Sequence, residues 1–141
     1  MTYPYLVTMA TRWGDNDVYG HVNNVAYYAF FDSAINRYMI EEGGLDIVGG
    51  DAIGLVVESG CTFRAALEYP ADVRVGVRAD KIGNSSVTWG VALFGAGKEP
   101  AATGRVVHVF VARATRRPVP IPEQIRAALE KLRSRSGDGS T

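Results

Sequence analysis

The sequence predicts an α+β domain in which one antiparallel sheet curls around one long apolar helix. Three observations carry this. A strand-like segment, Tyr5–Trp13, leads into a stretch of helical length, Val25–Glu42, that holds neither proline nor glycine. Four strand-like segments with short breaks follow it, and only a small helix remains after them. Between the first strand and the long helix sits a dense polar turn, Arg12 to Asn24, which packs Asp15, Asp17, His21, Asn23 and Asn24 between apolar neighbours. Polar groups held against apolar surroundings must be hydrogen-bonded or they cost stability.

Tyr5–Trp13 is rich in β-branched and aromatic residues and ends at Gly14. Gly14–Gly20 is a turn region of Gly, Asp and Asn. The helix begins near Asn23 or Asn24, either of which can accept a hydrogen bond from a free first-turn amide. Tyr27, Phe30, Phe31, Ala34, Ile35, Tyr38 and Met39 recur at helical spacing, in a stripe wider than a surface helix needs. Such a helix is enclosed, and Gly43-Gly44 ends it. The strands are expected at Leu55–Ala66, Val73–Ile82, Ser86–Gly95 and Ala101–Ala112. Val73, Val75 and Val77 alternate with Arg74, Gly76 and Arg78; Val87, Trp89, Val91 and Leu93 alternate, as do Val107, Val109 and Val111. Period two indicates antiparallel strands with one face buried. Pro118, Pro120 and Pro122 close the last strand, and Pro122 suits the first turn of a helix over Glu123–Arg133. A single curved sheet leaves edge strands open, and pairing with a second copy is the common remedy.

The chain has 141 residues, which fits one domain, placed at 1–133, with a polar, glycine-rich tail at 134–141 expected to be disordered. At 47% hydrophobic and 21% charged it can bury a core. Fifteen basic and fifteen acidic side chains give zero formal charge, so nothing electrostatic points to nucleic acid or an anionic membrane. No apolar run approaches the roughly 20 residues that span a bilayer. The lone Cys61 and the lack of a secretory pattern fit a cytoplasmic setting. No Cys/His cluster of metal type occurs.

Asp17 and His21 lie four apart, with Gly20 between them. Free amides at the helix start could polarise a carbonyl and stabilise the oxyanion formed on attack. A carboxylate beside them could attack directly or activate water. From the residues alone plainer roles stand alongside: Asp15 and Asp17 as turn-forming residues, His21 as a structural histidine packed against the helix start, Asn23 and Asn24 as caps. Tyr27, Phe30 and Phe31 then belong to the core, Asp32 to an exposed or interface position, and Cys61 to the apolar interior.

The run from Arg12 to Tyr27, with Asp17 followed by Gly20-His21-Val22-Asn23-Asn24, resembles the signature of the hotdog-fold acyl-CoA thioesterases of the 4-hydroxybenzoyl-CoA thioesterase group. The aromatic helix, the Thr62–Asp72 segment and Ile82–Ser86 fall in the family's order, so the resemblance covers about Leu6 to Ile125. It implies a hotdog fold: a five-stranded antiparallel sheet wrapped around the helix. It implies a homodimer or homotetramer with active sites between subunits. Asp17 takes the place of the catalytic carboxylate, as general base or nucleophile, and the backbone amide near Asn24 that of the oxyanion donor. His21 and Asn23 are supporting residues; Tyr27 and Phe63 line the acyl pocket or pack the core. No metal or redox cofactor is implied, since CoA is part of the substrate. The stretch also resembles plant acyl-carrier-protein thioesterases. Asp17 and His21 match there, but Tyr19 stands in place of an asparagine. Family members with a basic run ahead of the strand at Ser86 use it on CoA phosphates; here that run is Ile82–Ser85 with only Lys81 nearby, leaving Arg64, Arg74, Arg78 and Arg105 as candidates. The expected activity is hydrolysis of acyl-CoA to a carboxylic acid and CoA. A non-catalytic thioester-binding module, a carrier-protein thioesterase and a dehydratase are the rival readings; a pure binder has no use for the Asp17 carboxylate.

Overall fold

In a computed structural model, which describes residues 3–133, the long apolar stretch is helix α1, Asn24–Glu41. It follows strand β1 (Tyr5–Met9) and precedes strands β2 (Ala52–Phe63), β3 (Val73–Ile82), β4 (Ser86–Phe94) and β5 (Ala102–Ala112), then helix α2 (Glu123–Glu130). The tail expected at 134–141 lies outside the described residues.

The five strands form one sheet in the order β1-β3-β4-β5-β2, antiparallel at every junction. Strands β1 and β2 are joined through α1 yet occupy opposite edges. The connection therefore carries α1 across the sheet face. Phe31, Ala34, Ile35 and Met39 of α1 meet Val75, Val77, Val87, Trp89, Leu93 and Phe110 in one core. Burying each large apolar side chain there contributes about 1.5–3 kcal/mol. The approach is close: a Cβ at Gly104 of β5 would sit 2.7 Å from the Gly60 carbonyl oxygen and 3.1 Å from the Phe31 ring.

Several boundaries differ from the sequence expectation. β1 stops at Met9 rather than Trp13, because Thr11 Oγ1 donates to the Ala71 carbonyl (2.8 Å) and Trp13–Asp15 forms a 3-10 turn. β2 starts and ends earlier than Leu55–Ala66. The amides of Arg64 and Ala65 both donate to the Ala101 carbonyl, which ends the ladder. α2 ends at Glu130, and Pro122 is its cap rather than part of its first turn. In β5 the inward face is Val106, His108 and Phe110, not the Val107/Val109/Val111 set; Val107 and Val109 are half-buried on the other side. Valines on both faces of β5 conceal which alternation points inward.

His108 follows from that register. It is 2% exposed, and Trp89 Nε1–H donates to its Nδ1 at 2.8 Å. Burial lowers its pKa, against the opposing pull of Asp32. The unfolded chain takes up this proton below a pH of about 6.5, whereas the folded chain resists it. Stability is therefore expected to fall as pH drops below that value, and to stop falling below the lowered folded-state pKa. Trp89→Phe removes the donor and is expected to cost about 2 kcal/mol in urea unfolding at neutral pH.

Candidate active site

The polar turn is built on an ion pair. Asp15 is 4% exposed, and its carboxylate accepts from the Arg12 backbone N–H (2.8 Å) and from Arg12 Nη2 (2.8 Å). The hydrogen bond from the Arg12 side chain holds the Asp15 carboxyl below its ordinary pKa, against the opposing effect of burial. The Asp15 carbonyl in turn accepts from the Asn23 N–H at 2.7 Å, which ties the turn's first residues to the helix cap. Asp15→Asn is expected to destabilise the fold by about 1–2 kcal/mol at neutral pH. A depressed folded-state pKa contributes stability above the unfolded carboxyl value and loses it as pH falls through the lowered one. The gap between wild type and variant should therefore close below about pH 4, as read by urea unfolding at both pH values.

Beyond Asp15 the chain closes a small loop. Asn16 bridges Val22, the Asp17 N–H donates to the His21 carbonyl (2.9 Å), and the Gly20 N–H donates to the Asp17 carbonyl (3.1 Å). Gly20 has a φ of 84°, a conformation that a side chain disfavours. The Asp17 carboxylate turns back on this loop: Oδ1 accepts from the Tyr19 N–H (2.8 Å) and the His21 N–H (3.4 Å). Its other oxygen accepts no hydrogen bond among the described residues. One oxygen is thus held and the other is open. Of the two aspartates, then, Asp17 caps the turn, while Asp15 is a buried clasp, a role that residue type alone did not distinguish from a turn-forming one. The Arg12/Asp15 spacing of three was the available signal.

Asn23 is the helix cap; its Oδ1 accepts from the Val25 N–H at 2.9 Å and its carbonyl from the Ala26 N–H at 2.9 Å. The Asn24 N–H is left without an acceptor among the described residues. A free amide at the first helical position, on the positive end of the helix dipole, suits a developing oxyanion.

Segment 63–69 walls the loop on one side. The Val22 N–H donates to Leu67 O (2.7 Å), the Tyr69 N–H to Asn16 Oδ1 (3.3 Å), and the Tyr27 hydroxyl to Ala65 O (3.4 Å). Tyr27 is buried, and its ring meets the half-exposed Phe63 edge-on at 5.1 Å. His21 is not packed against the helix start, as a structural histidine would be. Its side chain is half-exposed, with Nε2 4.0 Å from Glu68 Oε2. Tyr19 points to solvent, so that position contributes its backbone N–H and not its side chain. The structure thus gathers Asp17, His21, Asn23 and Asn24 at one helix start, with Tyr27 and Phe63 beside them. The Glu68–Tyr69 contribution went unread because the segment looks like a plain turn. Cys61 is half-buried, and burial raises its thiol pKa.

No helix among the described residues is long and apolar enough to cross a membrane, and no group of three or more His, Cys, Asp or Glu among them could hold a metal ion.

Residues 11–129 match the model of the thioesterase-like superfamily. The PA5185 protein of Pseudomonas aeruginosa is 54% identical and superposes with a TM-score of 0.92, covering 94% of each chain. The PA2801 protein of the same organism is 31% identical, with a TM-score of 0.84 over 91% of this chain and 99% of that one. A DHNA-CoA thioesterase from Staphylococcus aureus, 19% identical, shares the fold with a TM-score of 0.84 over 100% of this chain and 97% of its own. An antiparallel five-stranded sheet crossed by one long helix, a polar loop at that helix's start and this match across the domain lead to one conclusion: the chain belongs to the thioesterase-like superfamily and has the hotdog fold.

Proposed function

We propose that the protein hydrolyses coenzyme A thioesters to a carboxylic acid and free CoA, with Asp17 as general base or nucleophile and the Asn24 amide as oxyanion donor. The observation that carries this reading is the pairing of a half-tethered carboxylate with an unused amide at one helix start. The thioester carbonyl lies on the Asn24 N–H. The open oxygen of Asp17 takes a proton from a water whose oxygen adds to the carbonyl, or adds to the carbonyl itself. The tetrahedral intermediate then breaks its C–S bond and CoA leaves as thiolate. In the second case water hydrolyses the Asp17–acyl anhydride to the acid. Asn23 contributes by engaging the Val25 amide, His21 by donating its backbone N–H to Asp17. The acyl group rests against Phe63, which Tyr27 backs from the core. A structural relative that acts on DHNA-CoA supports CoA as the carrier. The test is thiol release from short, long, branched and aryl acyl-CoAs. Turnover of at least one is expected, and binding without release from any of them would overturn the reading.

We also infer a homodimer or homotetramer assembled through β2. This strand runs twelve residues along an open sheet edge, and Val56, Val57 and Phe63 on it are exposed. An open edge of that length invites pairing with a second copy. Sedimentation velocity should give at least twice the monomer mass; a monomer at micromolar concentration would refute the assembly.

A further inference from the structure

Residues 46–51, just ahead of β2, form a rigid tip. Asp46 Oδ1 accepts from the N–H groups of Val48 (3.1 Å) and Gly49 (2.9 Å), and the Gly50 N–H donates to the Asp46 carbonyl (3.0 Å). Arg113, just past the end of β5, donates from Nε to the Gly50 carbonyl (2.7 Å) and from Nη2 to the Ile47 carbonyl (2.8 Å). Its own N–H donates to the Asp51 carbonyl (2.7 Å). The tip is thereby fixed to the end of the sheet where β2 begins. It presents Ile47, 59% exposed, and Val48, 84% exposed, and neither joins the core. A tip already held in one shape loses little freedom when it docks.

The same chain leaves a second surface open. The β2 residues that pair with the inward face of β5 lie on the helix side: Val56 opposite His108, Ser59 opposite Val106 and Phe63 opposite Ala102. They face α1 across a cleft. Near the helix start Tyr27 meets Phe63 at 5.1 Å, and further along Tyr28, Asp32, Val56, Ser59 and Val106 line a cavity of about 150 Å³. β2 is an edge strand, so no further strand among the described residues closes this cleft on its outer side. Phe63, against which the acyl group rests, is 41% exposed.

Pairing of two β2 strands about a two-fold axis brings the tip and the cleft together. Antiparallel partners run in opposite directions, so the start of one β2 lies beside the end of the other. Full overlap sets Ala52 of one copy opposite the partner's Phe63. The tip fixed at the start of one β2 then stands where the other β2 ends, beside the segment 63–69 that walls the Asp17 loop. The tip cannot reach the Phe63 of its own chain, which lies a full strand away, about 35 Å.

We propose that the partner's Ile47 and the partner's Val48 close the outer side of the α1–β2 cleft and set the length of acyl group it accepts; the proposal rests on the thioesterase reading and the β2 pairing above. One chain supplies the carboxylate and the amide, and the other supplies the apolar wall. Laying the tip against Phe63 removes apolar surface from water on both copies, and the two-fold makes the contact twice.

The test uses the full chain and the double variant Ile47→Ala/Val48→Ala, which keeps the backbone hydrogen bonds of the tip. For each, kcat/KM is measured across acyl-CoAs graded by length. The variant is expected to favour a longer acyl group than wild type does, with kcat/KM on the wild-type optimum down by about tenfold or more. A heterodimer purified through two different tags separates the chains, with Asp17→Asn on one and Ile47→Ala/Val48→Ala on the other. Its one intact Asp17 faces the partner's unaltered tip, so the wild-type length profile is expected at about half the wild-type turnover. The variant profile in that heterodimer, or an unchanged profile in the double variant, would overturn the proposal. A benzophenone amino acid at position 48 gives a readout independent of catalysis. In dimers mixed from light and isotopically heavy chains it should crosslink to segment 63–69 in pairs of mixed mass. Crosslinks confined to one chain, or a monomeric protein, would overturn the contact while thiol release by wild type leaves the reaction standing. Mixed-mass crosslinks with no thiol release from any acyl-CoA keep the contact and remove the reaction, and with it the control of acyl length.

Discussion

Asp17→Asn is expected to fold like wild type and to lose about 1000-fold in kcat on acyl-CoA. The two parts of that result have separate causes. The asparagine side-chain oxygen can still accept from the Tyr19 and His21 amides, so the loop keeps the bonds that close it. The open carboxylate oxygen becomes an amide nitrogen, which can neither take a proton from water nor attack a carbonyl. Unfolding by urea should show no more than a small shift, while thiol release collapses. A variant with wild-type turnover would remove Asp17 from the chemistry and return it to the role of a turn-capping residue. A single turnover of the wild type in heavy-oxygen water then divides the two roles. Attack by the carboxylate forms an Asp17–acyl anhydride, so label found in Asp17, or capture of that anhydride by hydroxylamine, establishes it; label in the released acid with no anhydride captured establishes activation of water.

Asn24→Pro is the second large effect, and it deletes a single N–H. Proline is well tolerated at the first helical position, where the amide has no intrahelical partner. The preceding Asn23 has φ −66° and ψ 143°, in the extended region that a residue before proline prefers. The Asn23 cap is also undisturbed, since it rests on the amides of Val25 and Ala26. The helix should therefore form with wild-type stability while kcat drops by about 100- to 1000-fold, the usual cost of losing one oxyanion donor. Asn24→Ala keeps the amide and should retain most of the activity. Equal losses in both variants would mean that the Asn24 side chain matters and its amide does not.

Reading the sequence alone worked where one physical signal dominated. The α1 span was legible because nothing in it breaks a helix, but the expectation that it would be enclosed was not met: one face packs on the sheet while Val25, Tyr28 and Ile40 on the other are exposed. The β3 and β4 faces were legible because charged or small residues alternate with large apolar ones. The signal failed where two options were chemically alike. Thr11 and Trp13 favour a strand as much as their neighbours do, but the Thr11 hydroxyl finds the Ala71 carbonyl, distant in the chain, and the strand ends before it. β5 carries apolar residues on both faces, so only its pairing with β4 and β2 decides that His108 points inward to Trp89.

The same division runs through the polar turn. The order of residues by itself determined that a carboxylate, a glycine and two asparagines meet the start of an apolar helix. It also determined which family's pattern they follow. The resemblance singled out Asp17, but residue type alone could not tell it from Asp15, since both are aspartates in one turn. Only the tertiary structure decided that one is buried against Arg12 and the other keeps one carboxylate oxygen without a hydrogen bond among the described residues, because burial depends on segment 63–69 closing over the loop from far along the chain. Nor could it say which first-turn amide is free. That depends on Asn23 engaging Val25 and Ala26 and so leaving Asn24, a matter of geometry that residue identity does not encode.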